Sequence, residues 1–301
     1  MKQIRCAMVV AALAAAYPAL AESVPAQIVV TAQPASRNAQ QTLATGDLAV
    51  EQGKASVPVT RLERLSGNLS GMQLFVLLDD STRSASLGTQ IPELKKFLNS
   101  LPATTQVAVG YMRNGAASLA QPFTADHAKA AAALRLPTAI PGANASPYFA
   151  LSDLVKHWPS KEPAIRRAVL MLTDGVDRYY SGSIVDDPYV DAAFHDALKQ
   201  GVMVYSIYLR GAGGYGRGGW ATTIAQSRLM EVSDETGGHA YFEALSDPVT
   251  ISPFLNNLQD RMDNQYRVTF QAVNQKGFQP VKLKTEVPGI KVTGPTHIYV
   301  P

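Results

Sequence analysis

Four short apolar runs divide the middle of the chain, at residues 73–78, 106–111, 168–172 and 202–209. Runs of this length without polar alternation predict strands buried on both faces, as in a parallel sheet covered by helices. The segments between them change period. Apolar residues recur at helical spacing over 91–98, 125–134, 148–157, 189–200, 227–236 and 249–263. Buried strands alternating with amphipathic helices predict a doubly wound α/β domain over 72–265, and ligands of such sheets sit beyond the carboxyl ends of the strands.

Outside that stretch the pattern is β. Segments 47–52 and 55–62 flank a Gly53-Lys54 turn, and 266–273, 281–287, 290–293 and 296–300 close the chain. The β segments at each end lack partners of their own, and the simplest account is that the two ends pair with each other. They form a small antiparallel β unit (46–71 and 266–301) into which the α/β domain is inserted. Residues 22–45 are rich in Ala, Gln, Ser and Thr and carry Pro25 and Pro34. They read as a flexible arm, with one β-like run at 27–31.

The first 21 residues have a basic start (Lys2, Arg5), an apolar middle too short to span a bilayer, and the ending Ala19-Leu20-Ala21. This is the layout of a secretory signal peptide. Cleavage after Ala21 leaves 25 basic against 24 acidic residues. A net charge of +1 argues against nucleic acid as a partner. The mature chain has no transmembrane segment and is expected in the periplasm or outside the cell. Cys6, the sole cysteine, falls in the leader. Disulfides, cysteine metal sites and thiol nucleophiles are thereby excluded.

Two of the strand ends carry the chemistry. The first buried run leads into Asp79-Asp80-Ser81-Thr82-Arg83-Ser84, and the third into Thr173-Asp174-Gly175-Val176-Asp177. A further loop, Pro141-Gly-Ala-Asn-Ala-Ser146, opens a helix. Carboxylates and a hydroxyl gathered at neighbouring strand ends offer hard oxygen ligands to a magnesium-type ion. Asp79 and Asp80 have a plainer reading as caps of the following turn.

With Phe75-Val-Leu-Leu-Asp-Asp-Ser81, Val169-Leu-Met-Leu-Thr-Asp-Gly-Val-Asp177 and Glu235-Thr-Gly-Gly238 in this order, the chain resembles the von Willebrand factor type A (VWA) domain, in its exported bacterial branch with flanking β segments. The resemblance covers about residues 45–300. It implies a Rossmann-like sheet whose metal-ion-dependent adhesion site uses an Asp-x-Ser-x-Ser motif, a middle-loop threonine and a later aspartate. Asp79, Ser81 and Asp174 match three of those ligands; Ser146 stands near the threonine position. Arg83 replaces the second serine, and a guanidinium has no acceptor atom to offer an ion. Either Arg83 turns away and a divalent cation is held weakly, with Ser84 as substitute hydroxyl, or its charge takes the ion's place beside Asp79 or Asp174.

Asp187 reads as a helix N-cap with Pro188 at the first helical position, in preference to a second cation site with Asp186 and Asp191. The loop 211–220 presents Tyr215, Arg217 and Trp220, residue types enriched at interface hot spots, and is either a recognition loop or a connector. The five histidines are dispersed and read as packing or surface residues. No nucleophile with an attendant base emerges, since there is no G-x-S-x-G elbow and no mature cysteine. The expected function is a non-enzymatic module that binds a protein partner on its strand-end face, with Arg83, Tyr215, Arg217 and Trp220 as contacts. The alternatives are a metal-dependent phosphohydrolase, in which Ser81 stands where a second aspartate is needed, and an inert envelope scaffold.

Overall fold

The computed structural model describes residues 23–34, 42–82, 84–140, 146–162, 166–180, 186–210 and 219–301. The expected signal peptide, the contact residues Arg83, Tyr215 and Arg217, and the side chain of Ser84 lie outside the described residues.

The chain enters through β1 (Ser23–Pro34), then β2 (Leu48–Gln52), β3 (Ala55–Val57) and β4 (Val59–Arg64). The α/β domain follows with β5 (Met72–Asp79), α1 (Ser84–Gly88), α2 (Ile91–Ser100), β6 (Thr105–Arg113), β7 (Ala116–Thr124), α3 (His127–Ala132) and α4 (Pro147–Lys156). It continues through β8 (Arg166–Thr173), α5 (Pro188–Lys199), β9 (Val202–Tyr208), α6 (Gly219–Glu235), β10 (His239–Tyr241) and α7 (Ser252–Asp263). The chain returns to β structure in β11 (Gln265–Val273), β12 (Gly277–Thr285), β13 (Ile290–Thr293) and β14 (His297–Val300).

The central sheet has the order β10-β9-β8-β5-β6-β7, parallel except for antiparallel β7. Counted from β5, this is the 3-2-1-4-5-6 order of doubly wound folds, whose direction of winding reverses between the first and fourth strands. That reversal lies between β5 and β8, which run side by side from Met72↔Arg166 to Leu78↔Leu172. Every residue of β5 and β9 is buried, because helices cover both faces. One face packs Leu74, Val76 and Leu78 against Leu94 and Leu98 of α2 and Leu255 and Leu258 of α7. The other packs Phe75 and Leu77 with Leu151 of α4, Val190 of α5 and Leu229 of α6.

The two ends of the chain meet as two four-stranded sheets, β13-β1-β11-β4 and β14-β12-β2-β3. Ile28 and Val30 of β1, Val268 and Phe270 of β11, Val50 of β2 and Ile298 of β14 share one apolar core between them. The α/β domain is thus inserted in an antiparallel unit built by both ends. Arg166 pins the junction: its Nη1 donates to the Met262 carbonyl at 2.6 Å and to Gln265 Oε1 at 2.5 Å, and its Nη2 to the Ser70 carbonyl at 3.0 Å.

The expected flexible arm is corrected. Residues 23–34 form a twelve-residue strand whose whole first part pairs with β11, from Ser23↔Val273 to Thr31↔Gln265. The prolines and small residues suggest a linker, but Val24, Ala26, Ile28 and Val30 alternate and pack into the β core. Strand β7 was not expected either. Ala116–Thr124 has no buried residue, contains Pro122, and serves as the sheet's antiparallel edge, where proline is tolerated. Helix α6 begins eight residues before its predicted start, since Gly219 to Gln226 lack the apolar stripe that marks the rest.

Candidate strand-end site

At the point where the winding reverses, β5 delivers Asp79 and β8 delivers Thr173 and Asp174. Asp79 is 1% exposed. Its Oδ1 accepts from the Ser81 backbone N–H at 2.9 Å and from Ser81 Oγ at 2.7 Å, while its Oδ2 accepts from Thr173 Oγ1 at 2.9 Å. Thr173 Oγ1 in turn accepts from the Gly175 N–H at 3.3 Å. Asp79 therefore ties two strand ends together, and does so as a buried carboxylate with a donor on each oxygen.

Asp174 is held differently. Its Oδ1 accepts from the Val176 N–H at 3.0 Å, and its Oδ2 meets Arg178 Nη2 at 2.5 Å. Both side chains are largely enclosed, with 6% of Asp174 and 18% of Arg178 exposed. Burial raises the Asp174 pKa, and the Asp79 charge adds to that, against the pull of Arg178. Gly175 between them has φ +67°, and a Cβ there would stand 2.8 Å from the Ala225 carbonyl and from Leu229. A side chain at 175 would push α6 away from the strand end.

Asp80 faces another cluster. Its side chain is fully enclosed and accepts from Arg135 Nη1 at 2.6 Å, from the Thr138 N–H at 3.0 Å and Thr138 Oγ1 at 3.2 Å, with Arg113 Nε at 3.0 Å. Burial pushes its pKa up, but the Arg135 and Thr138 bonds outweigh this and hold the carboxyl below its usual range. Arg135 also lies over the Tyr111 ring, 3.8 Å from its centroid.

Ser146 caps α4, accepting from the Tyr148 N–H at 3.3 Å, and donates to Asp177 Oδ2 at 2.9 Å. Asp177 Oδ1 accepts from the N–H groups of Tyr179 and Tyr180 at 2.7 and 3.1 Å. Asp187 caps α5 through the Tyr189 N–H, with Pro188 first in the helix, and also meets Arg228 at 3.0 Å. The capping role expected of Asp187 holds, and Ser146, expected near the threonine position, takes the same role on α4.

The side chains present do not fit a divalent ion. Asp174 already has a guanidinium against its outer oxygen, Ser146 is engaged with Asp177, and Asp79 accepts from Ser81 and Thr173, so the oxygens that would have to turn to an ion are taken by donors of the protein's own. Sequence reasoning missed Arg178 and Tyr179. The signal was in the run Asp177-Arg-Tyr-Tyr180, directly after the strand-end motif. Tyr179 is 66% exposed and packs edge-on against Phe149, with centroids 5.2 Å apart. Trp220, 63% exposed, is the second residue of α6.

The strand order, the Asp-x-Ser at the end of the central first strand and the Thr-Asp-Gly beside it now stand together. The α/β domain is VWA-like in fold. No protein-family model matches the chain, and no curated protein does. Solved structures do. An aerotolerance-related membrane protein from Bacteroides fragilis is 16% identical, over 64% of this chain and 99% of that one, with a TM-score of 0.45. The BatB protein from Bacteroides thetaiotaomicron is 14% identical over 63% and 97%, with a TM-score of 0.43. The VWA domain of SpRpn10 is 14% identical over 60% and 96%, with a TM-score of 0.38. At these identities and scores the likenesses assign neither family nor activity. No described helix is long and apolar enough to cross a membrane.

Proposed function

We propose that the chain is an exported, non-enzymatic binding module that recognises a protein partner with the strand-end face of its VWA-like domain and needs no resident metal to do so. The observation that carries this reading is the state of Asp79. In the phosphohydrolase alternative this carboxylate would attack phosphorus, yet it is buried and both its oxygens accept hydrogen bonds from Ser81 and Thr173. A carboxylate so engaged is a brace between strands, and a nucleophile must instead be accessible. Arg178 beside Asp174 supports the metal-free part of the proposal, since an internal cation supplies the charge an ion would bring.

The contacts proposed are Tyr179 and Trp220, large exposed aromatics at the strand-end side, together with the loop residues Arg83, Tyr215 and Arg217. Tyr and Trp gain contact area at small cost in side-chain entropy, which suits them to interface centres. The test is capture from an envelope extract by the native chain and by the Tyr179→Ala/Trp220→Ala variant, each with and without chelator. A partner retained by the native chain in chelator and lost by the variant supports the reading. Magnesium-dependent hydrolysis of p-nitrophenyl phosphate, abolished by Asp79→Asn, would replace it with the enzyme.

A further inference from the structure

At the opposite end of the central sheet a cleft of about 600 Å³ separates the α/β domain from the β unit. Its floor is the start of β8 and β9, with Arg166, Arg167, Val202 and Met203; its walls are β1 over 24–29 and β14. The walls arise from a parting of strands. β13 pairs with β1 from Pro34↔Ile290 back to Thr31↔Thr293. Past that pair the chain turns through Gly294-Pro295 and becomes β14, which pairs with β12 in the other sheet. Strand β1 between residues 23 and 30 therefore has β11 on one side and no described strand on the other.

The backbone groups on these open edges follow from ladder geometry. In an antiparallel strand the N–H and C=O of one residue point the same way, and successive residues alternate. Ala32 donates to the Asn264 carbonyl, on the β11 side, so the even-numbered residues of β1 face β11. Pro25, Gln27 and Val29 then face the cleft. This parity places the missing N–H of Pro25 on the open edge, where a strand proline belongs. In β14, Thr296 accepts from the Val281 N–H, so even-numbered residues face β12, and His297 and Tyr299 face outward.

The charge of the cleft is one-sided. Among the described residues, no Asp or Glu side chain lines it. Arg267 and His297 have carboxylate partners in Glu63 and Glu235, but Arg166, Arg167 and Lys199 form no ion pair among the described residues. Arg166 is 6% exposed, and its Nε has no hydrogen-bond partner. Lys199 stands over the rings of Phe278 and Tyr299 at 5.4 and 5.3 Å, and Arg167 over Trp158 at 5.7 Å. Aromatic rings keep these cations in place without neutralising them.

We infer that this cleft binds an extended acidic peptide segment of a partner, which adds as a strand along the open edge of β1 between Gln27 and Val29 while its carboxylates meet Arg167 and Lys199. Two open strand edges call for a backbone, and the uncompensated cations call for acidic side chains. The wall from Val24 to Val29 is about 20 Å long at strand rise, enough for about six residues of peptide. The chain's own leading segment does not match, since residues 1–22 hold Lys2 and Arg5 against the single acid Glu22. This site is distinct from the strand-end face and stands or falls independently of it.

The probe is a phage-displayed library of random nine-residue peptides selected on the full chain. Selected peptides are expected to be enriched in Asp and Glu. As synthetic peptides they should bind at least tenfold more weakly to Arg167→Glu/Lys199→Glu. Gln27→Pro removes one open-edge N–H while leaving the β11 ladder intact, and is expected to weaken binding by a similar factor with the melting temperature kept. Absence of any selected peptide, selection without acidic enrichment, or binding indifferent to the charge variant would overturn the inference. So would anionic lipid vesicles that bind the chain through Arg167 and Lys199 regardless of Gln27→Pro, since the cations would then serve a lipid surface.

Discussion

The two ends of the central sheet treat charge in opposite ways. At the carboxyl ends of β5 and β8, each buried aspartate has donors of its own: Asp79 has Ser81 and Thr173, Asp80 has Arg113 and Arg135, and Asp174 has Arg178. At the amino ends, Arg166, Arg167 and Lys199 gather with no carboxylate among the described residues lining the cleft. A buried charge is costly unless paired, so the acidic end is internally complete and stabilises the loops around it. The basic end is incomplete and suited to something brought from outside.

The sharpest way to break the comparison is Arg178→Ala, which leaves Asp174 enclosed without its cation and should lower stability by about 3 kcal/mol. Magnesium, expected to be silent on the native chain, should raise the melting temperature of this variant. A calorimetric magnesium response from the native chain would return the acidic end to ion binding. Asp80→Ala removes the acceptor of two arginines and of the Thr138 N–H; a loss of about 2 kcal/mol by urea denaturation is expected.

Acid should act on both Asp80 and a histidine away from either end. The Asp80 pKa lies below its unfolded value, so its contribution is present above about pH 4 and is lost as pH falls through the depressed folded value. His239 is lowered to about 4, by burial first and then by Arg261 and Lys291. A depressed folded value means stability that is full above the unfolded pKa of about 6.5 and drains as pH falls toward 4. His239→Gln should flatten that part of the stability profile and leave the decline below it, to which Asp80 contributes together with the lowered carboxyls of Glu93 and Asp126. The smallest effect is expected at the basic end. Arg167→Ser and Lys199→Ser, which break no ion pair, should each change stability by less than about 0.5 kcal/mol.

The readable parts of the sequence were those in which one physical demand acts on adjacent residues. Burial on both faces writes itself as unbroken apolar runs, and β5, β8 and β9 were legible for that reason. Capping needs a side-chain oxygen at one place relative to a helix, so Asp187-Pro188 was readable as a cap. The pairing of Asp80 with Arg135, fifty-five residues onward, left no local trace, and Arg178, four residues after Asp174, reaches it across a loop, where i,i+4 spacing does not by itself bring two side chains together. β1 was obscured because small residues and prolines suffice for a strand whose partners come from the far end of the chain.

By itself the sequence determined the alternation of buried strands with covering helices, the β character of both ends, and the meeting of Asp79 with Thr173-Asp174 at adjacent strand ends. The first two follow from hydrophobic period, a property of short segments; the third was carried by the resemblance of the strand-end motifs to those of the VWA domain. Only the tertiary structure decided which cation answers each carboxylate, that the leading segment is a strand, and that β13 and β14 part to open a basic cleft. Each of those depends on groups distant in sequence arriving at one place, where burial makes an unpaired charge costly and an unpaired strand edge available.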